Sequence, residues 1–219
     1  MKPIAHIATD FPEKFGIPRQ SGIIPGLRGR IVFLPEYRTP DALRGIEGYS
    51  HLWLLWEFSE NADAGWSPTV RPPRLGGNAR MGVFATRSPF RPNPIGLSCV
   101  RLEKIDWECE NAPQLVVRGA DMVDGTPIYD IKPYLPHADC IPDAVGGFSA
   151  PLTAYQLNVV FADTVVFDRK EELVKILEQD PRPSYHDDDR EYGMTFAGNT
   201  VRFYVKDGTL YVTKIIPKK

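Results

Sequence analysis

Prolines and glycines punctuate the first three-quarters of this chain so densely that long helices are excluded there. The 219 residues include 21 prolines and 18 glycines, and a proline inside a helix removes a hydrogen bond and clashes with the preceding turn. Between them lie short β-branched or aromatic segments: Arg30 to Leu34, His51 to Phe58, Met81 to Ala85, Leu97 to Ile105 and Leu115 to Val117. Such segments bounded by turn residues read as strands. Many short strands without alternating helices predict a mainly β fold, a sandwich or barrel. One short helix is expected from Thr39, with Pro40 as its first helical residue.

The pattern changes near residue 163. Asp168 and Glu171 have capping-box spacing, and Leu173, Val174, Ile176 and Leu177 mark one helical face that Asp180-Pro181 ends. Val201 to Val205 and Leu210 to Ile215 flank Asp207-Gly208, a two-residue hairpin signal. The expected organisation is a β-rich domain over 1–150 and a small α+β domain over 163–219. A linker is expected between Asp143 and Asp163, around Gly146-Gly147.

Composition narrows the function classes. No stretch approaches the roughly 20 apolar residues of a membrane span, and the N-terminal Met1-Lys2-Pro3-Ile4 lacks the apolar core of a signal peptide. Cytoplasmic residence is the expectation. The three cysteines are far apart and the four histidines are dispersed, so neither a disulfide framework nor a metal site is expected. Net charge is −2, but from Pro68 to Leu102 there are six arginines (Arg71, Arg74, Arg80, Arg87, Arg91, Arg101) and no Asp, Glu or Lys. Two readings are open: an anion-facing surface, or arginines paired with carboxylates brought close by folding. Asp187 to Asp189 read as a solvated acidic surface.

No glycine-rich nucleotide loop, Walker motif, zinc-protease or nucleophile-elbow motif occurs. Four other segments are dense in polar and turn residues. They are Phe15 to Gln20, His51 to Asn61, Gly82 to Leu97, and Asp121 to Pro127 leading into Asp130 to Pro136. Taken alone, Asp124-Gly125 reads as an ordinary turn between strands rather than as a ligand contact. Asn93, between Pro92 and Pro94, is followed by neither a second proline nor an aromatic, so it does not complete an Asn-Pro-Pro-aromatic motif.

Across these segments the chain resembles the family of tRNA (adenine-N6)-methyltransferases that act on the threonylcarbamoyl-modified adenosine at position 37, beside the anticodon. The likeness extends to Gly76-Gly77-Asn78-Ala79-Arg80 and to Gln179-Asp180-Pro181-Arg182-Pro183. It implies a single β-barrel that binds S-adenosylmethionine without a Rossmann domain, a small C-terminal α+β domain, and a homodimer with the donor near the interface. It implies a donor site drawn from Pro18, Arg19, Gln20, Ser59, Glu60, Arg87, Leu97, Asp124, Gly125, Thr126 and Pro127. Many relatives carry a histidine where this chain has Ser59, a change that a backbone contact at Ser59 would survive.

The resemblance gives the arginine segment a partner. Arg71, Arg74, Arg80 and Arg91 are candidates for phosphates of the tRNA anticodon stem-loop. Asp130 is a candidate proton acceptor, equally a structural partner of Lys132 or Arg91. Tyr134 or Phe90 are candidates for stacking the target base, and Asn93 for touching its amine. Two alternatives stand beside this reading: a non-catalytic RNA-binding module with a vestigial donor pocket, and a small-molecule methyltransferase on the same barrel.

Overall fold

The computed structural model describes residues 1–72, 79–149, 156–182 and 190–218. Six strands close into an antiparallel barrel: β1 (Ala5–Thr9), β2 (Arg28–Phe33), β3 (His51–Glu57), β6 (Ile95–Asp106), β7 (Gln114–Arg118) and β8 (Pro127–Pro133). Their order around the barrel is β1-β2-β7-β6-β3-β8. Between β3 and β6 the chain makes a two-stranded ribbon, β4 (Thr69–Val70) with β5 (Met81–Gly82). A short helix, α1 (Pro136–Asp139), follows β8. The C-terminal part is a four-stranded sheet, ordered β10 (Tyr192–Phe196), β11 (Asn199–Lys206), β12 (Thr209–Pro217) and β9 (Asn158–Phe161), with helix α2 (Lys170–Glu178) beside it. The fold is mainly β, a closed barrel with a small C-terminal sheet unit, as the sequence and its resemblance led one to expect.

Strand alternation builds the barrel core. In β3, Leu52, Leu54 and Trp56 point inward and are buried, while His51, Trp53, Leu55 and Glu57 are half-exposed. Inward residues of the other strands, among them Ile7, Ile31, Val100, Leu115, Val117 and Ile128, complete this core. Trp56 lies opposite Gly96 of β6. A Cβ on Gly96 would meet the indole at 2.2 Å, so only a bare Cα lets this ring pack at the barrel end.

A second core lies under the C-terminal sheet. Leu173, Ile176 and Leu177 of α2 pack with Phe196, Val201, Phe203 and Leu210 of the sheet, and Phe11, Ile24 and Leu27 join them from the segment between β1 and β2. That segment is fastened further by Arg169 Nη1, which donates to Asp10 Oδ2 at 2.6 Å, and by Thr195 N–H, which donates to Glu13 Oε1 at 3.1 Å.

Several local expectations change. The helix expected from Thr39 is a single 3-10 turn over Pro40–Leu43, with no side-chain cap from Thr39. The strand expected over Met81 to Ala85 stops at Gly82. Val83–Ala85 turns instead, because Arg91 Nη1 draws the Val83 and Thr86 carbonyls together at 3.2 and 2.6 Å. The Asp168–Glu171 capping box does not form. Arg169 takes the N-cap position, pulled toward Asp10 and over the Phe196 ring, and Asp168 Oδ1 accepts only the Arg169 N–H among the described contacts. The Asp207-Gly208 hairpin forms as expected, with both residues at positive φ, 47° and 72°. The linker expected around Gly146-Gly147 falls partly outside the described residues.

Gly96→Ala is expected to lower stability by about 1–3 kcal/mol through displacement of Trp56. A thermal unfolding midpoint within experimental error of the parent would contradict the close contact.

Candidate active site

One end of the barrel opens into a cavity of about 440 Å³, within the roughly 300–1,000 Å³ typical of small-molecule sites. Four stretches of chain meet there. Ile17 to Gln20 come from the segment clamped against the C-terminal sheet. Trp56 to Asn61 come from the end of β3 and the following 3-10 turn (Ser59–Ala64). Thr86, Arg87, Pro89, Arg91 and Ile95 to Leu97 lead into β6, and Asp121 to Val123 with Thr126 precede β8.

A polar relay joins two of the lining residues, Trp56 and Asp121. Trp56 Nε1 donates to Ser98 Oγ at 2.9 Å, and Ser98 Oγ donates to Asp121 Oδ1 at 2.6 Å. Both capacities of the buried hydroxyl are thus used. Burial pushes the Asp121 carboxyl up to about 6, against the pull of the Ser98 hydroxyl, the backbone N–H groups of Asp121 and Ser21, and the Arg87 charge. Among the described residues Asp121 is in no ion pair. The other two lining carboxylates are occupied. Glu57 accepts the Tyr129 hydroxyl, and Glu60 lies 3.6 Å from Lys14 Nζ.

Arg87 faces the same space. Its Nη1 donates to Gln20 Oε1, so the first and third stretches are linked across the cavity. Arg19 Nη2 donates to Asp180 O at 3.3 Å, tying the first loop to the turn after α2. A cavity lined by a guanidinium and by a half-buried carboxylate outside any ion pair among the described residues suits a ligand that bears both an anionic and a cationic group.

The residues singled out from the sequence divide cleanly. Pro18, Arg19, Gln20, Ser59, Glu60, Arg87, Leu97 and Thr126 line the cavity. Asp124, Gly125 and Pro127 do not. Asp124 Oδ1 accepts the Thr9 N–H at 2.9 Å, Gly125 N–H donates to Ile7 O at 2.8 Å, and Gly125 has φ 78°. They form the turn that ties β8 to β1, which positions Thr126 behind them.

Asp130 and Tyr134 lie away from the cavity. Asp130 pairs with Lys132 at 3.1 Å, and Tyr134 packs against Trp53 and His51. Asn93 lies in the turn before β6, its carbonyl accepting the Ile95 N–H at 2.8 Å, and is not among the lining residues. Of the candidate phosphate ligands, Arg71 and Arg80 are exposed beside the β4–β5 ribbon. Arg91 lines the cavity with its guanidinium engaged by two carbonyls, and Arg74 lies outside the described residues. No ion pair involves Arg71, Arg80, Arg87, Arg91 or Arg101 among the described residues, unlike Arg28, Arg30 and Arg118, which pair with Glu103 and Asp106.

Sequence reasoning missed the relay. A signal was present: Gly96 and Ser98 interrupt the inward-facing register of β6, and a serine among inward hydrophobics needs a buried partner.

The family model for the N-terminal domain of tRNA-methyltransferase O matches residues 6–140, and that for the TrmO C-terminal domain matches residues 156–218. The chain belongs to the TrmO family. It is 42% identical to the tRNA (adenine(37)-N6)-methyltransferase of Escherichia coli K12, covering 98% of this chain and 97% of that protein. It is 44% identical to the enzyme of the same name from Eikenella corrodens, over 77% of this chain. The crystal structure of TrmO from Pseudomonas aeruginosa superposes with a TM-score of 0.77 at 33% identity, covering 97% of this chain and 96% of that one. No helix among the described residues is long and apolar enough to cross a membrane. No cluster of His, Cys, Asp and Glu suited to a metal ion occurs among them either.

The raised Asp121 pKa fixes a sign for stability. The folded state holds the Asp121 proton more tightly than the unfolded chain, so this contribution is full below pH ~4 and is lost as pH rises through about 6. With two pKa units at about 1.4 kcal/mol each, roughly 2–3 kcal/mol should be lost between pH 4 and pH 7. In Asp121→Asn this component should vanish. Parallel pH–stability curves for the two proteins, measured by urea unfolding without ligand, would contradict the burial of Asp121.

Proposed function

We propose that this protein transfers the methyl group of S-adenosylmethionine to N6 of the threonylcarbamoyl-modified adenosine at position 37 of tRNA. The observation that carries the reading is the presence, in one cavity, of a half-buried carboxylate outside any ion pair among the described residues and a guanidinium, in a chain of the TrmO family. When bound, the donor supplies an electrophilic methyl on a sulfonium. Arg87 and Arg19 grip its carboxylate, Asp121 accepts from its ammonium, and Glu60 accepts from its ribose. Leu97 and Ile95 contribute apolar wall, and Thr126, Pro18 and the Ser59 backbone complete the enclosure.

Holding the exocyclic amine in line with the methyl, roughly 3–3.5 Å away, supplies much of the acceleration. The amine's proton leaves to solvent, since the carboxylates lining the cavity are engaged by donor, lysine or tyrosine in this reading. The target base is already unpaired in the anticodon loop, so presenting it costs little. Exposed Arg71 and Arg80 take phosphates of the anticodon stem-loop, with Arg74 the third candidate from the sequence. The protein acts in the cytoplasm as a homodimer, with the barrel unit spanning 1–150 and the C-terminal unit 163–219.

The test is methyl transfer from labelled S-adenosylmethionine to two matched tRNAs, one carrying threonylcarbamoyladenosine and one unmodified, followed by nucleoside analysis. Label in N6-methylated threonylcarbamoyladenosine from the modified tRNA alone is the expected result. Transfer to neither tRNA by a folded, donor-binding protein would reject the reading. In addition, Arg87→Ala should weaken donor binding by about 1–3 kcal/mol, the scale of a lost hydrogen bond to a charged group. Calorimetry showing unchanged affinity would remove Arg87 from the donor site.

A further inference from the structure

The lobe between Trp66 and Arg91 has features that neither the barrel core nor the cavity requires. Among its described residues, Thr69–Val70 pairs with Met81–Gly82, Val83 N–H donates to Pro68 O at 3.0 Å, and Ser67 N–H donates to Phe90 O at 3.2 Å. Val83 is buried and anchors it. Yet three aromatic side chains on this lobe face solvent, Trp66 at 58%, Phe84 at 76% and Phe90 at 39% exposure. The Ser67–Phe90 bond brings the segments bearing Trp66 and Phe90 side by side, and Arg91 places its guanidinium 5.9 Å from the Phe84 ring centre.

Single exposed apolar residues are ordinary. Three aromatics on one short lobe, in a stretch from Ala64 to Leu102 without any acidic residue or lysine, are not a scattered set. Exposed rings beside exposed arginines such as Arg71 and Arg80 are the chemistry of single-stranded nucleic-acid recognition: every base offers a π-face to stack, and the arginines meet the phosphates. The placement adds direction. Thr86, Arg87, Pro89 and Arg91 of the same lobe line the cavity, so a nucleotide whose base reaches the mouth of the donor-filled cavity leaves its chain neighbours beside this lobe.

We propose that Trp66, Phe84 and Phe90 form a stacking platform for unpaired RNA bases flanking the nucleotide presented to the cavity. This rests on the tRNA reading above and assigns it a second contact surface, distinct from the phosphate-binding arginines. The platform holds loop bases by their faces and is tolerant of sequence, because stacking reads no hydrogen-bonding edge.

The test uses the full chain with two probes of equal length: a single-stranded RNA heptamer of anticodon-loop sequence, and the same sugar-phosphate backbone made abasic. Trp66→Ala and Phe84→Ala are compared with the parent, with S-adenosylmethionine affinity and sedimentation measured in parallel. Each substitution should weaken heptamer binding about ten-fold, equivalent to about 1.4 kcal/mol. Abasic-probe binding, donor affinity and oligomeric state should be unchanged. The slope of log affinity against log salt should also stay the same, since stacking releases no counterions.

Unchanged heptamer affinity in both variants would overturn the platform. So would an equal loss for the abasic probe, or a change in sedimentation that makes these rings a contact between copies of the chain. If the parent methylates tRNA while both variants bind the heptamer normally, the platform alone fails. If both variants lose heptamer affinity as expected but the parent methylates no tRNA, the platform stands and the methylation reading fails.

Discussion

The hydrogen-bonded series from Trp56 through Ser98 to Asp121 sits where barrel packing meets ligand chemistry. The indole closes the end of the apolar core and lies across Gly96, yet its one polar atom must find a partner once buried. Ser98 supplies it and passes a hydrogen bond on to Asp121 in the cavity. A carboxylate is thereby held in a place that water cannot fully solvate, at a cost to the empty protein that a cationic ligand can offset. Binding energy and fold stability are coupled through the same three side chains.

The C-terminal sheet gains a role from this arrangement. Phe11, Ile24 and Leu27 belong in sequence to the barrel, but they are buried in the core beneath the C-terminal sheet. The loop bearing Pro18, Arg19 and Gln20 is therefore stretched between two anchors, with Arg169 on Asp10 at one side and Arg19 on the Asp180 carbonyl at the other. Asp180 has φ 49°, and its carboxylate is held by Arg182 at 2.9 Å. A loop that contributes cavity wall is thus braced by a unit that adds no lining residue of its own among those described.

Elements governed by local rules were legible in the sequence. The proline-punctuated strands and the Asp207-Gly208 hairpin both depend on neighbours within a few residues. The start of α2 was misread because its decisive partner, Asp10, is 159 residues from Arg169. The same limit governed the site. The four lining stretches stood out through their density of polar and turn residues and their resemblance to a family. The split between Thr126, which lines the cavity, and Asp124, which braces β1, turns on which way one tight turn faces. Asp121 passed unnoticed because its environment is made by Ser98 and Trp56, distant in sequence and unremarkable one at a time.

The central claim is that Asp121 receives the donor's positive charge, and proton linkage reports it directly. Calorimetric titration of S-adenosylmethionine at pH ~5.5, in buffers of different ionisation enthalpy, counts the protons exchanged on binding. A cation seated against Asp121 lowers its pKa from about 6, so binding should release a substantial fraction of one proton at that pH and almost none at pH ~7. Asp121→Asn should abolish the release. Proton exchange that is absent at pH 5.5, or identical in the two proteins, would contradict the account.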